Sequence, residues 1–377
     1  MTPRATRVPR AVLFVAAGLV AVLAAGVAVA AHFGLIFNHP TVRGEPLDVP
    51  PQAVQVLATG LEVPWAVAFL PDGTALVTER NSGRILAVRA PAVSSAASTA
   101  DVREVARVND VTPGGEGGLL GIAVSPDYAT DGWVYVYYTA ADGNRLARLR
   151  LDPATPPEPL LTGIPKARNH NGGRIAFGPD GFLYVGTGDA AERDRSPDPG
   201  SLAGKILRLT PDGDPAPGNP FGDSPVYSSG HRNVQGLAWD ATGALFATEF
   251  GQNRYDELNR IEPGRDYGWP TVEGMGGGAG FADPVATWST SDASPSGLAI
   301  RDGQAYLACL RGTKLYRIGL NGTGARQLLS GQYGRLRSVT VAPDGTLWLT
   351  TSNRDGRGDP APDDDRILRL LPDRVPG

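Results

Sequence analysis

The chain has 377 residues, 41% of them hydrophobic, with 35 basic and 39 acidic side chains for a net charge of −4. That hydrophobic share supports a sizeable core and excludes wholesale disorder, and the lack of a basic excess excludes a nucleic-acid-binding footprint. Its 49 glycines and 33 prolines exclude long helical bundles, and the single cysteine, Cys309, excludes an internal disulfide, a cysteine zinc site and a haem attachment motif, so any metal must sit on oxygen or imidazole.

The first 44 residues contain no Asp or Glu and carry Arg4, Arg7, Arg10 and Arg43. From Ala11 to Ala31 the chain is uncharged and consists of Ala, Val, Leu, Phe and Gly. A helix of that length spans about 31 Å, enough for the hydrocarbon layer of a membrane. Its basic flank comes first, so the remainder is expected on the extracytoplasmic side, whether periplasmic, cell-surface or secreted. Ala28-Val29-Ala30 resembles a signal-peptidase site, but the apolar run exceeds the ~7–15 residues usual for a cleaved signal, which favours an uncleaved anchor. Residues 1–36 are therefore read as a signal or anchor helix, 37–51 as a linker and 52–377 as the folded domain.

Beyond the linker one unit recurs: a β-rich run, a Pro-Asp-Gly type turn and a second β-rich run. Its six copies are WAVAFLPDGTALVTE, LGIAVSPDYATDGWVYVYYT, GRIAFGPDGFLYVGTGD, QGLAWDATGALFATEFG, SGLAIRDGQAYLACLRG and RSVTVAPDGTLWLTTSNRDG. Each reads as a hairpin, because strand-like alternation surrounds a tight-turn dipeptide. Third strands follow in GRILAVRA, KILRLTP and KLYRIGL. The turn positions 72, 127, 180, 241, 302 and 344 have the spacing of propeller blades with variable loops. The expected fold is all-β, a six-bladed β-propeller. A strand in DRILRLL near the C-terminus is expected to close the ring by pairing with VQVLA at 54–58.

Propellers bind ligands in the loops at one mouth, so the loops that enter each blade are the candidate site. His32 and His39 fall in the anchor and linker, whereas His170 and His231 sit in NHNGGR and GHRNVQG, at the same point of the repeat. The equivalent points contribute Glu116, Asn169, Arg174, Arg232, Asn233, Gln235, Arg335 and Arg337, with Arg311 following another hairpin. Five arginines in an acidic protein suit either a polyanionic ligand bound bidentately or ion pairs across blades. His170, in a glycine-rich loop near them, is the candidate general base, and His231 is read as a packing or hydrogen-bonding residue. The segment EFGQNRYDELNRIEPGRDYGWP offers Asp256, Glu257 and loop carbonyls, the oxygen ligands Ca²⁺ prefers, although a solvated acidic loop would look the same.

The segments GLEVPWAVAFLPDG, GEGGLLGIA, HNGGRIAFGPDGFLYVGTGD, GKILRL, GHRNVQGLAW, DELNRIEPGRDYGWP, RLRSVTVAPDGTLW and TSNRDGRG, in that order, resemble the PQQ-dependent soluble aldose sugar dehydrogenases of the glucose/sorbosone dehydrogenase family. The resemblance implies a six-bladed propeller that oxidises an aldose at its anomeric carbon to a lactone, with hydride passing to PQQ. It assigns His170 as the base. It assigns Glu116, Asn169, Arg232, Asn233, Gln235, Arg311, Arg335 and Arg337 to the cofactor's surroundings. It assigns Gly251 and Gln252 to a cofactor-bound Ca²⁺, and Glu257 and Tyr267 to a separate structural Ca²⁺. An external electron acceptor, a respiratory-chain carrier or a dye, would reoxidise the cofactor.

The sequence departs from the glucose enzymes at several of these points. Glu116 stands in place of Gln, Asn169 in place of Asp, Arg311 in place of Lys and Gln252 in place of Pro. A carboxylate at 116 beside an anionic cofactor requires a counter-charge or a proton. Two other readings remain: a non-catalytic sugar- or protein-binding propeller, and a Ca²⁺-dependent lactonase-type hydrolase.

Overall fold

The computed structural model describes residues 41–93, 99–152 and 155–376. The expected signal or anchor helix lies outside these residues. Among the described residues no helix is long and apolar enough to cross a membrane.

The repeat units form hairpins for a local reason. In the first, Pro64–Phe69 pairs with Ala75–Glu79, and the turn between them is closed by Leu70 N–H donating to Thr74 O at 2.9 Å. Asp72 accepts from the Thr74 N–H at 2.9 Å, and Gly73 takes a left-handed φ of 83° that a side chain would resist. Asp240 and Asp344 cap the turns of the fourth and sixth units in the same way, through the Thr242 and Thr346 N–H groups. The second unit differs. Its longer PDYATDGW insert coils into one helical turn, Tyr128–Asp131, pinned by Ser125 Oγ donating to Asp131.

Third and fourth strands complete six antiparallel sheets, and the expected third strands appear as Arg84–Arg89, Ile206–Leu209 and Lys314–Gly319. The innermost strands are Pro64–Phe69, Leu119–Val124, Ile175–Phe177, Val234–Trp239, Pro295–Arg301 and Leu336–Val341. Each packs against the next and the sixth against the first, which closes the ring. The sixth sheet is completed by Val54–Ala58 lying antiparallel to Ile367–Leu370, the expected closure between the two ends of the domain. Glu45–Pro46, within the expected linker, adds a parallel fifth strand to the fifth sheet.

Blade strands are buried on both faces because every sheet is sandwiched between two others. Hence Ala75–Glu79, Val134–Thr139 and Leu245–Glu249 are buried throughout, with Trp65, Tyr137 and Trp288 among the largest interior side chains. Hydroxyls tie neighbouring blades together: Thr78 donates to Leu120 O and Thr248 to Ser296 O, both at 2.7 Å. All six innermost strands run the same way along the axis. Their N-terminal ends, and the loops that lead into them, therefore meet at one mouth.

Candidate active site

At that mouth Glu116, Asn169, His170, Arg232, Gly251, Gln252, Arg311 and Arg335 line one cavity of about 410 Å³. Residues distant in the chain meet there because the loops that enter the blades and the turns between their second and third strands lie at the same end of the ring. The volume suits a small organic ligand.

His170 is held in a strained loop with φ 60°. The loop can form only because its neighbours lack side chains: a Cβ on Gly172 would lie 2.5 Å from the Thr187 backbone, and one on Gly188 would lie 1.9 Å from the His170 carbonyl. The imidazole Nδ1 lies 2.7 Å from Asp189 Oδ1, and Nε2 lies 2.8 Å from Arg232 Nη2 and 3.2 Å from Asn169 Nδ2. A guanidinium only donates, so Nε2 is the acceptor and Nδ1 carries the hydrogen that it donates to Asp189. Asp189 in turn accepts from Trp269 Nε1 and Ala191 N, at 2.9 and 2.8 Å. Burial works against its ionisation, but these hydrogen bonds and the His170 interaction outweigh it and hold the carboxyl below its usual value. These contacts fix the orientation of the ring and leave Nε2 as the acceptor directed at the cavity. Asp189 lies inside the GTGD motif, yet sequence reasoning assigned it no role, since only the fold brings the end of one strand back to the loop before it.

His231 has the packing role expected of it. It is fully buried, stacks on Tyr267 with ring centroids 4.7 Å apart, and meets Glu249 and Ser228 through its two nitrogens. Glu249 also accepts from the Arg232 N–H at 2.9 Å, so this pair sets the turn that presents Arg232 and Asn233.

The arginines divide. Arg335 pairs with Asp355 at 2.9 Å, and Arg337 lies 3.7 Å from the same carboxylate. Arg337 also donates to Gln235 Oε1 at 3.2 Å, while Asn233 Oδ1 accepts from Gln235 Nε2 and Gly172 N, so a continuous polar chain runs beneath the cavity across three blades. Two donors in it, Asn233 Nδ2 and Arg337 Nε, are buried with no partner among the described residues. Arg311 lines the cavity with no carboxylate in ion-pair range among the described residues. Arg174, expected at this mouth, is elsewhere. Its guanidinium lies 4.3 Å over the Trp65 ring across the axis and lines the channel on the far side.

Glu116 has the counter-charge its position demands. Arg357 lies 2.8 Å from it, and it accepts from the His170 N–H at 2.9 Å. Burial pushes its carboxyl up, but the His170 bond and the Arg357 charge prevail and hold it below its usual value. Arg357 was overlooked in the sequence because it stands 241 positions from its partner.

Unpaired arginine, buried orphan donors and a wall of N–H groups fit a ligand bearing several carboxylates. For a metal the fit is partial. Gly251 and Gln252 lie on the cavity wall beside the buried carboxyl of Asp256, which burial above all pushes up to about 7 and which a nearby cation would favour in its charged form. Glu257 and Tyr267 share a separate small cavity with Glu249 and Glu273. There the Glu257 oxygens are engaged by Gly274 N and Asn259, and the Tyr267 hydroxyl by Arg260 O. Among the described residues no group of three or more His, Cys, Asp or Glu is arranged to hold a metal ion.

Comparison with known proteins follows the same lines. The model of the glucose/sorbosone dehydrogenase family matches residues 61–369. The solved structure of the PQQ-bound form of an aldose sugar dehydrogenase from Streptomyces coelicolor is 54% identical, covers 85% of this chain and 99% of its own, and has a TM-score of 0.79. A putative oxidoreductase (glucose dehydrogenase) from Thermus thermophilus is 47% identical, covers 84% of this chain and 99% of its own, and has a TM-score of 0.76. The aldose sugar dehydrogenase of Escherichia coli is 30% identical over 345 residues, 80% of this chain and 91% of that protein.

Proposed function

The chain belongs to the glucose/sorbosone dehydrogenase family, and from that premise we propose that it oxidises aldoses at the anomeric carbon to lactones with PQQ and Ca²⁺ at the mouth of the propeller. The observation that carries this reading is a histidine whose Nδ1 is tied to a buried aspartate and whose Nε2 opens onto an arginine-lined cavity. When bound, PQQ supplies a two-electron sink for the anomeric hydride and Ca²⁺ supplies Lewis-acid polarisation.

The protein's part is binding, orientation and proton transfer. Arg232, Arg311 and Arg335 would hold the cofactor's carboxylates from the walls, with Asn233 and Arg337 donating from beneath. Gly251 and Gln252 would offer oxygens to Ca²⁺, and a second Ca²⁺ at Glu257 and Tyr267 rests on the family resemblance. His170 Nε2 takes the proton of the sugar's anomeric hydroxyl, which replaces Arg232 as its hydrogen-bond donor. A hydrolase would gather carboxylates around one metal, and an arginine-rich wall is the opposite arrangement. Tethering by the N-terminal helix, an extracytoplasmic location and an external electron acceptor complete the proposal.

Purified protein given PQQ and Ca²⁺ should reduce a dye in the presence of aldoses, and EDTA treatment or His170→Ala should stop it. Failure to bind PQQ at all would overturn the assignment.

Asp189→Asn should lower kcat by about 10²-fold or more with KM and PQQ binding little changed. Both Asp189 oxygens accept hydrogen bonds, so an amide must turn its NH₂ toward either Trp269 or His170. Turned toward His170, it moves the ring hydrogen to Nε2 and removes the base. An altered kcat–pH profile with unchanged PQQ affinity is the expected signature.

Arg357→Ala should weaken PQQ binding by about 10-fold, because Glu116 would face an anionic cofactor without its counter-charge. Adding Glu116→Gln should restore most of that loss. Independent, additive effects in the double variant would show that the pair does not act as a unit.

A further inference from the structure

At the end of the axis opposite His170 the propeller has a second, open-mouthed cavity of about 400 Å³. Its wall is made by residues 67–69, 122–124, 175–177, 237–239, 298–300 and 339–341, the ends of the six innermost strands. Five of the six segments carry alanine at the middle position, and none contains a charged side chain. Each innermost strand pairs with only one neighbour, so its other edge turns toward the axis and presents backbone N–H and C=O groups alike.

The one charged residue on this cavity is Arg174. Its Nε donates to Gln235 O at 2.8 Å, but Nη2 is buried with no hydrogen-bond partner among the described residues. No carboxylate lies in ion-pair range of it among those residues. Nearby Arg337 adds charge of the same sign, and the carboxylate beside Arg337, Asp355, is already shared with Arg335. Burial foremost, then the charge of Arg337, pulls the Arg174 pKa down to about 9, so the guanidinium still carries its charge at neutral pH. A buried, unpaired cation is costly unless something compensates it. Arg174 does not line the upper cavity, so a ligand bound beside His170 leaves it unpaired.

We propose that this lower channel holds a resident monovalent anion of chloride size on the buried Arg174 guanidinium. A single positive charge in an otherwise uncharged lining matches one negative charge. A divalent oxyanion would be left half-compensated, so sulfate should bind poorly.

The test is thermal stability in chloride, gluconate and sulfate, with and without PQQ and Ca²⁺, because the upper arginines could also take a halide. The expected result is a saturable rise with chloride of roughly 4 °C at a hundredfold excess over Kd, the same with and without cofactor, and absent with sulfate. Arg174→Met keeps the packing over Trp65 and removes the charge. It also removes the Nε donor to Gln235 O, and its stability should be indifferent to added chloride. Equal stability of the parent in chloride and gluconate would overturn the proposal, as would an undiminished chloride response in Arg174→Met. Should that variant not fold, crystals of the parent grown in bromide decide the matter. An anomalous peak in the channel against the Arg174 guanidinium supports the site, and water alone there refutes it.

Discussion

His170→Ala is expected to lower sugar turnover by about 10²- to 10⁴-fold while PQQ binding changes little. In the proposed reaction the histidine would contribute only a proton acceptor, and the cofactor's carboxylates are assigned to arginines on other blades. Its removal therefore takes away a transition-state interaction and leaves the anion-binding wall standing. The strained backbone at φ 60° is permitted by Gly172 and Gly188 and held by the Glu116 carboxylate on its N–H, none of which depends on the imidazole. Titration of PQQ into the variant, followed by dye-coupled kinetics, separates the two effects. If PQQ binding collapsed along with turnover, the histidine would be a binding residue and the base would have to be sought elsewhere in the cavity.

Asp355→Ala is expected to destabilise the protein by about 3–5 kcal/mol, the cost of leaving buried cations without their anion. The Asp355 side chain is 2% exposed, and those of Arg335 and Arg337 are 11% and 6% exposed. The effect should depend on pH in a definite direction. Burial opposes ionisation of Asp355, but the charges of Arg337 and Arg335 outweigh it and hold the folded-state value below 3.8. A depressed carboxyl stabilises the fold above its unfolded pKa and loses that contribution as pH falls through the folded value. The parent should therefore lose stability below about pH 4 more steeply than the variant. The variant should also gain more than the parent from PQQ, because the cofactor's carboxylates would replace the missing anion. Denaturant unfolding at several pH values, with and without PQQ, measures all three effects, and an unchanged midpoint at neutral pH would show that the two arginines do not need Asp355.

Much of this protein is written locally. Asp-Gly turns, strand alternation and the third-strand segments each depend on a few neighbouring residues, so six units could be counted from the sequence and each hairpin placed. Closure by residues 54–58 was also legible, because a ring of sheets must satisfy the one edge left over. The loops entering the blades could be named as the candidate site because propeller geometry brings equivalent points of a repeat together, and several of them line one cavity. The one-turn helix at Tyr128–Asp131 departed from the repeat because its unit carries a longer insert between the two strands.

What the sequence could not decide were partnerships and directions. Arg357 meets Glu116 from the far end of the chain, and Asp355 was passed over although it governs two arginines assigned to the site. Asp189 reads as the end of a strand until the sheet folds it behind His170. His170 and Arg174 belong to one loop, residues 165–174, yet the first faces the upper cavity and the second the lower channel. Turn chemistry and periodicity fix the path of the backbone over a few residues, whereas ion pairs and the side of the axis a side chain takes depend on all six blades being closed around it.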